Sequence, residues 1–212
     1  MKSIVTALLW LLLVFSSTSF AQKVFDGCAA AGNGKPTAKN PTGELKPDKQ
    51  LLNKRKNRET TPKTITKSIK LADIMNPKKN QSFKPEQAVS IVGYVAKVKA
   101  GEPQETCNCA RKDIADIHID IVLEESDKNK SSKYMIVEIS PRWQSKLGDL
   151  AAVRSKIQGR WIQFTGWMLY DYIHEVNAKN TNPKGKAIWR ATAWEVHPVT
   201  SFKVVPAPKT KP

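Results

Sequence analysis

Hydrophobic and polar residues along this chain change period at a few places, and each change marks an element. From Ala88 to Lys99 the run AVSIVGYVAKVK is rich in β-branched residues and interrupted by Gly93, a strand with room for a bend. Between Ile114 and Leu123 the alternation is clean. Ile117, Ile119 and Ile121 face one way, and Asp116, His118 and Asp120 the other, the period of a half-buried strand. A charged turn over 124–132 leads to a third strand, Tyr134–Ile139, stopped by Ser140-Pro141. The period then lengthens: Trp143, Leu147, Leu150, Ala151, Arg154 and Ile157 predict an amphipathic helix over 142–157, closed by Gly159. Arg160–Tyr170 reads as a fourth strand with Gly166 inside it. After a polar loop over 178–186, Ala187–His197 and Thr200–Val205 read as a fifth, interrupted strand.

Strand, strand, strand, helix, strand, strand is the order of the OB-fold, a five-stranded, partly open barrel with a helix between its third and fourth strands. The sequence therefore predicts a mainly β, OB-fold-like barrel domain over 85–205. Upstream, residues 22–84 read as a basic, largely flexible arm, with a short helix at about Thr66–Met75 ended by Asn76-Pro77. Residues 206–212 read as a Pro/Lys tail. The first 21 residues have the form of a signal peptide: Met1-Lys2, an apolar run from Ile4 to Phe15, and Ser19-Phe20-Ala21 before the expected cut. That run is short of the ~20 residues that span a bilayer. The expected product is exported, periplasmic or extracellular, with no stable membrane insertion after signal cleavage.

Composition sharpens this in one respect. Lys and Arg number 35 against 19 Asp and Glu, a net charge of +16, while apolar content of 40% excludes collagen-like and multi-span membrane chains. The positive excess is concentrated at 35–80, where Lys54, Arg55, Lys56 and Arg58 form a candidate footprint for phosphate or anionic polysaccharide. Three cysteines in an oxidising compartment predict a disulfide from Cys28 to either Cys107 or Cys109, leaving one thiol over. A soft-metal or redox-active CxC pair is the other reading, without the CxxC spacing of zinc ribbons.

Two constellations carry chemistry. On the fourth strand, Trp161 and Trp167 fall on the outward face with Gln163 and Thr165, where exposed rings on a basic protein would stack the bases of a single strand. The other consists of the three histidines, each one to three residues from a carboxylate: His118 by Asp116 and Asp120, His174 by Asp171 and Glu175, His197 by Glu195. If the strands bring His118, His174 and His197 together, they are candidate ligands for zinc, whose activated water could hydrolyse an ester. No HExxH spacing, glycine-rich phosphate loop or GxSxG elbow is present.

The stretches GYVAKVKAGEPQETCNC, DIHIDIVL, MIVEISPRW, GRWIQFTGWMLYDYIHE and WRATAWEVHPVTSFKV resemble an uncharacterised family of exported bacterial OB-fold-like proteins, and LLNKRKNR resembles that family's N-terminal extension. The resemblance implies bacterial export and barrel architecture, and it brings no activity, ligand or site residue. The sequence thus points to an exported binding module for an anionic or stackable polymer, nucleic acid or envelope glycan, needing no cofactor. The alternatives are a metal-dependent hydrolase on the histidine and carboxylate cluster, with zinc as cofactor, and a structural envelope protein.

Overall fold

In a computed structural model describing residues 24–209, the chain begins with a short ladder between β1 (Val24–Phe25) and β2 (Cys28–Ala29), followed by helices α1 (Pro47–Lys56) and α2 (Leu71–Ile74). The expected signal segment 1–21 lies outside the described residues. Pro47 opens α1 with its fixed φ, Asp48 stands in its first turn and Lys54, Arg55 and Lys56 in its last, charges that complement the helix dipole.

The expectation of a largely flexible arm over 22–84 is corrected here. Ile69, Leu71, Ile74 and Phe83 join the barrel's hydrophobic core. α1 docks mainly through polar side chains: Asn53 Nδ2 donates to Ala31 O at 2.9 Å and Asn57 Nδ2 to Cys107 O at 2.7 Å. The Cys28–Cys109 disulfide ties the same segment to the barrel, as one of the two expected pairings, and leaves Cys107 free and buried.

Five strands close into a mixed barrel: β3 (Ala88–Ala100), β4 (Ile117–Val122), β5 (Met135–Ile139), β6 (Trp161–Tyr170) and β7 (Trp194–Val204), in the order β3-β4-β5-β7-β6. β3 pairs with β6 through its first half and with β4 through its second, with a register shift between Val95 and Lys97 that helps it bend around the barrel. Only β5 and β7 run parallel. This is the mainly β, OB-fold-like architecture that the element order predicts. Ile117, Ile119 and Ile121 fill its interior with Met135, Val137, Ile139, Phe164 and Val196.

Two element boundaries differ from expectation. The predicted helix over 142–157 is split into α3 (Pro141–Leu147) and α4 (Leu150–Ile157). Gly148 takes φ +107°, incompatible with helix, and the Asp149 side chain then caps α4 by accepting from Ala152 N at 2.9 Å. The fifth strand begins at Trp194, not Ala187, and runs unbroken through Pro198; residues 187–193 are irregular. Residues 206–209 of the expected tail have no regular structure. Among the described residues no helix is long and apolar enough to cross a membrane.

Candidate functional site

Strand register assembles the polar residues that the alternation turned away from the core. His118 on β4 stands opposite Glu138 on β5, and the parallel pairing of β5 with β7 sets Val137 beside Val196. One residue further along each strand, on the other face, are Glu138 and His197. His118 Nδ1 lies 2.8 Å from Glu138 Oε1 as an ion pair, and its Nε2 is hydrogen-bonded with Asp120 Oδ1 at 2.9 Å. His197 Nδ1 lies 2.8 Å from the other Glu138 oxygen and 3.6 Å from Glu195 Oε2, while its Nε2 is 3.9 Å from Asp116 Oδ2.

Two loops and α1 cover this face. The β3–β4 loop brings Glu105, Cys107 and Asp116, its base pinned where Gly101 N donates to Asp116 O at 2.7 Å. In the β6–β7 loop, Asp171 Oδ1 accepts from Ile173 N at the start of a short 3-10 turn, and its other oxygen holds His174 Nδ1 at 3.1 Å. Farther along the same loop, Arg190 Nη1 reaches Glu195 Oε1 at 2.8 Å. From α1, Lys56 Nζ sits 3.5 Å from Asp171 Oδ2 and 3.8 Å from Glu105 Oε2. Between them is a cleft of about 480 Å³ onto which Lys56, His118, Glu138, His174, Trp189 and Arg190 face. OB-folds take their ligands on this side, over the second and third strands and the loops after the first and fourth.

Burial sets the electrostatics. It works to lower His118, but the hydrogen bonds to Asp120 and Glu138 outweigh it and hold the imidazole up at about 9. His197, fully buried, is likewise opposed by desolvation, yet Glu138, Glu195 and Asp116 raise it to about 10. Desolvation would raise Glu138, and His197 and His118 together keep it well below the usual carboxylate range. Asp116 goes the other way: burial pushes it up, and His197 offsets only part of that. Lys56 stays charged because Asp171 and Glu105 outweigh its burial, and Asp171 is held low against its own burial, chiefly by Lys56. Burial and Asp116 push the Cys107 thiol well up.

Several buried atoms in this network lack a hydrogen-bond partner: Asp116 Oδ1, Glu195 Oε2, both ring nitrogens of His197, and Arg190 Nη2. The short His197–Glu138 approach therefore falls outside hydrogen-bonding alignment. Asp116, Glu138 and His197 each offer one ligand atom, and these atoms all lie within 4.8 Å of one another. Two carboxylates and an imidazole suit zinc or manganese. Asp171, His174 and Glu195 form a second such group, with Lys56 and Arg190 already supplying positive charge to it.

The structure does not bring the three histidines into one group. His197 belongs to the first group and His174 to the second, while His118 is occupied by Asp120 and Glu138 and orients the latter. Glu138 and Arg190 were not among the sequence candidates; a lone carboxylate in the apolar strand MIVEI was the available signal for the first. The aromatic constellation fares differently. Trp167 is half-buried, its Nε1 donates to Thr60 O at 2.8 Å, and the Arg58 guanidinium lies 4.2 Å over its ring. Trp161 is half-buried with its ring at 5.7 Å from that of Tyr94, edge to face. The basic cluster is dispersed as well: Lys54 is exposed, Arg55 pairs with Glu86 at 2.7 Å, and Lys56 points into the cleft region. Trp161, Trp167 and Lys54–Arg58 therefore do not form one open stacking groove.

No family model matches the chain, and no curated protein is similar to it.

Proposed function

We propose that the protein is a metal-dependent hydrolase whose centre is the covered face of β4, β5 and β7. The observation that carries this reading is the trio Asp116, Glu138 and His197, buried together, with Asp116 Oδ1 and both ring nitrogens of His197 left unpartnered. A buried carboxylate or imidazole without a partner costs roughly 1–3 kcal/mol, a cost that a bound ion would remove. A divalent ion there would supply an activated water and a Lewis acid. The chain's own residues have defined parts. His118 fixes Glu138, and Asp171 fixes the ring of the partly exposed His174, the pairing that orients a proton-transferring imidazole. We further propose that the protein works outside the cytoplasm, a reading supported by the apolar run Ile4–Phe15 and by a disulfide of the kind that persists in oxidising compartments. The polymer-binding reading has less support, because its rings and cations are engaged within the fold.

The test is hydrolysis of bis(p-nitrophenyl) phosphate and of p-nitrophenyl acetate by chelator-stripped protein before and after adding zinc or manganese. Activity that appears with the ion and is absent in Asp116→Asn is the expected result. A protein that binds the ion yet turns over neither ester would contradict the hydrolytic reading.

A further inference from the structure

The cleft that Glu138 of the trio lines contains two cations whose donors are only partly used. Arg190 is fully buried, yet it is a cleft residue. Its Nε donates to Thr192 O at 2.7 Å and its Nη1 reaches Glu195 at 2.8 Å, but Nη2 has no partner. An arginine is always charged, and an orphaned guanidinium N–H in a buried position is a donor waiting for an acceptor. Lys56 is also buried, and its Nζ stands 3.5 Å from Asp171 and 3.8 Å from Glu105, ion-pair distances too long for hydrogen bonds. The two residues enter from different elements, α1 and the β6–β7 loop, and meet at one cleft. Trp189 lines it too, its ring 5.3 Å from that of His174 and 5.2 Å from the Arg190 guanidinium.

We infer that Arg190 and Lys56 form an oxyanion pocket that binds the phosphate group of the substrate. A planar guanidinium with a free N–H beside a flexible ammonium is the pairing that recognises phosphate: one donor of fixed direction, one point charge. The pocket also explains why a polar helix is docked by asparagines over this face, since α1 delivers Lys56. Its carboxylates do not forbid an anion. Glu195 is paired with Arg190, Asp171 and Glu105 share Lys56, Glu102 is exposed to solvent, and an ion at the trio would offset Glu138 and Asp116. This inference rests on the hydrolase reading for what the phosphate belongs to, and it narrows the substrate to phosphate esters.

The experiment is titration of inorganic phosphate into the intact chain, metal-free and zinc-loaded, with Arg190→Lys and Lys56→Gln beside wild type. Wild type should bind phosphate, and each variant should bind it about ten- to a hundredfold more weakly, the share of one charge-assisted hydrogen bond. Zinc uptake should be unchanged in both. If Arg190→Lys does not fold, Lys56→Gln carries the comparison alone. Wild type that binds no phosphate, or folded variants that bind it as well as wild type, would overturn the pocket. Phosphate bound through these residues by a chain that takes up neither zinc nor manganese would leave the pocket standing and remove the hydrolase reading instead.

Discussion

Asp171 meets three demands at once: it caps the turn at Tyr172–Asn177, orients His174 and neutralises Lys56. Its replacement by Asn keeps the shape and removes the charge, leaving Lys56 buried beside Glu105 alone. Breaking such a buried pair costs about 3–5 kcal/mol, so Asp171→Asn should unfold at markedly lower urea. The pH dependence follows from the direction of the shift. Asp171 is held below its ordinary 3.8, so its contribution is complete above that value and fades as pH falls toward its folded pKa. The stability gap between wild type and variant should therefore be constant at neutral and mildly acid pH and close below about pH 4. A gap that persists at strongly acid pH would contradict the ion pair. Asp116 predicts the opposite sign. Its buried carboxylate accepts only a weak bond from Cys107 Sγ at Oδ2 and has no partner at Oδ1, so Asp116→Asn should melt at no lower temperature than wild type and should take up no metal. At this scale the sequence was informative where residues are neighbours in the chain. Asp116, His118 and Asp120 read directly as one strand face. Glu138 and Arg190 join them only through strand register and a long loop, which no local pattern encodes.

Among the elements, α1 is where periodicity failed. A helix that buries Leu52 with Asn53, Lys56 and Asn57 at its end has almost no apolar stripe, so residues 47–56 look like solvated chain until their partners Ala30, Ala31 and Cys107 are in place. The same covering explains Trp167: its outward position on β6 was legible, and the segment that folds over it was not. The strands were legible because Ile117–Ile121 and Ile162–Met168 alternate, and Gly148 was the missed punctuation in the helix. The disulfide holds the N-terminal segment to the barrel across 81 residues, a closure worth about 4–5 kcal/mol in the chain-entropy account. Cys28→Ser should lower stability to urea by an amount of this order and loosen the segment that includes α1. Equal unfolding midpoints for Cys28→Ser and wild type would contradict that role. On β6, a Cβ at Gly166 would lie 2.4 Å from Pro198 O, so Gly166→Ala should destabilise the β6–β7 pairing that positions His197, read as a lower melting temperature.

For the molecule as a whole, a strongly basic chain gathers carboxylates on one covered face of its barrel. Glu105, Asp116, Asp120, Glu138, Asp171 and Glu195 converge there, with Lys56, Arg190 and the histidines as their counter-charges. A net charge of +16 says nothing of that internal inversion, because it averages over the exposed lysines. The fold itself, five strands closed in OB-like order, could be reached from periodicity; the site required the closed barrel and the segment laid over it. The most direct test is calorimetric titration of zinc into chelator-stripped protein, with Asp116→Asn and His197→Gln measured in parallel and their folding checked by circular dichroism. The account predicts a single ion per chain for wild type and loss of binding in both folded variants. No uptake by wild type, or equal affinity in Asp116→Asn, would contradict it.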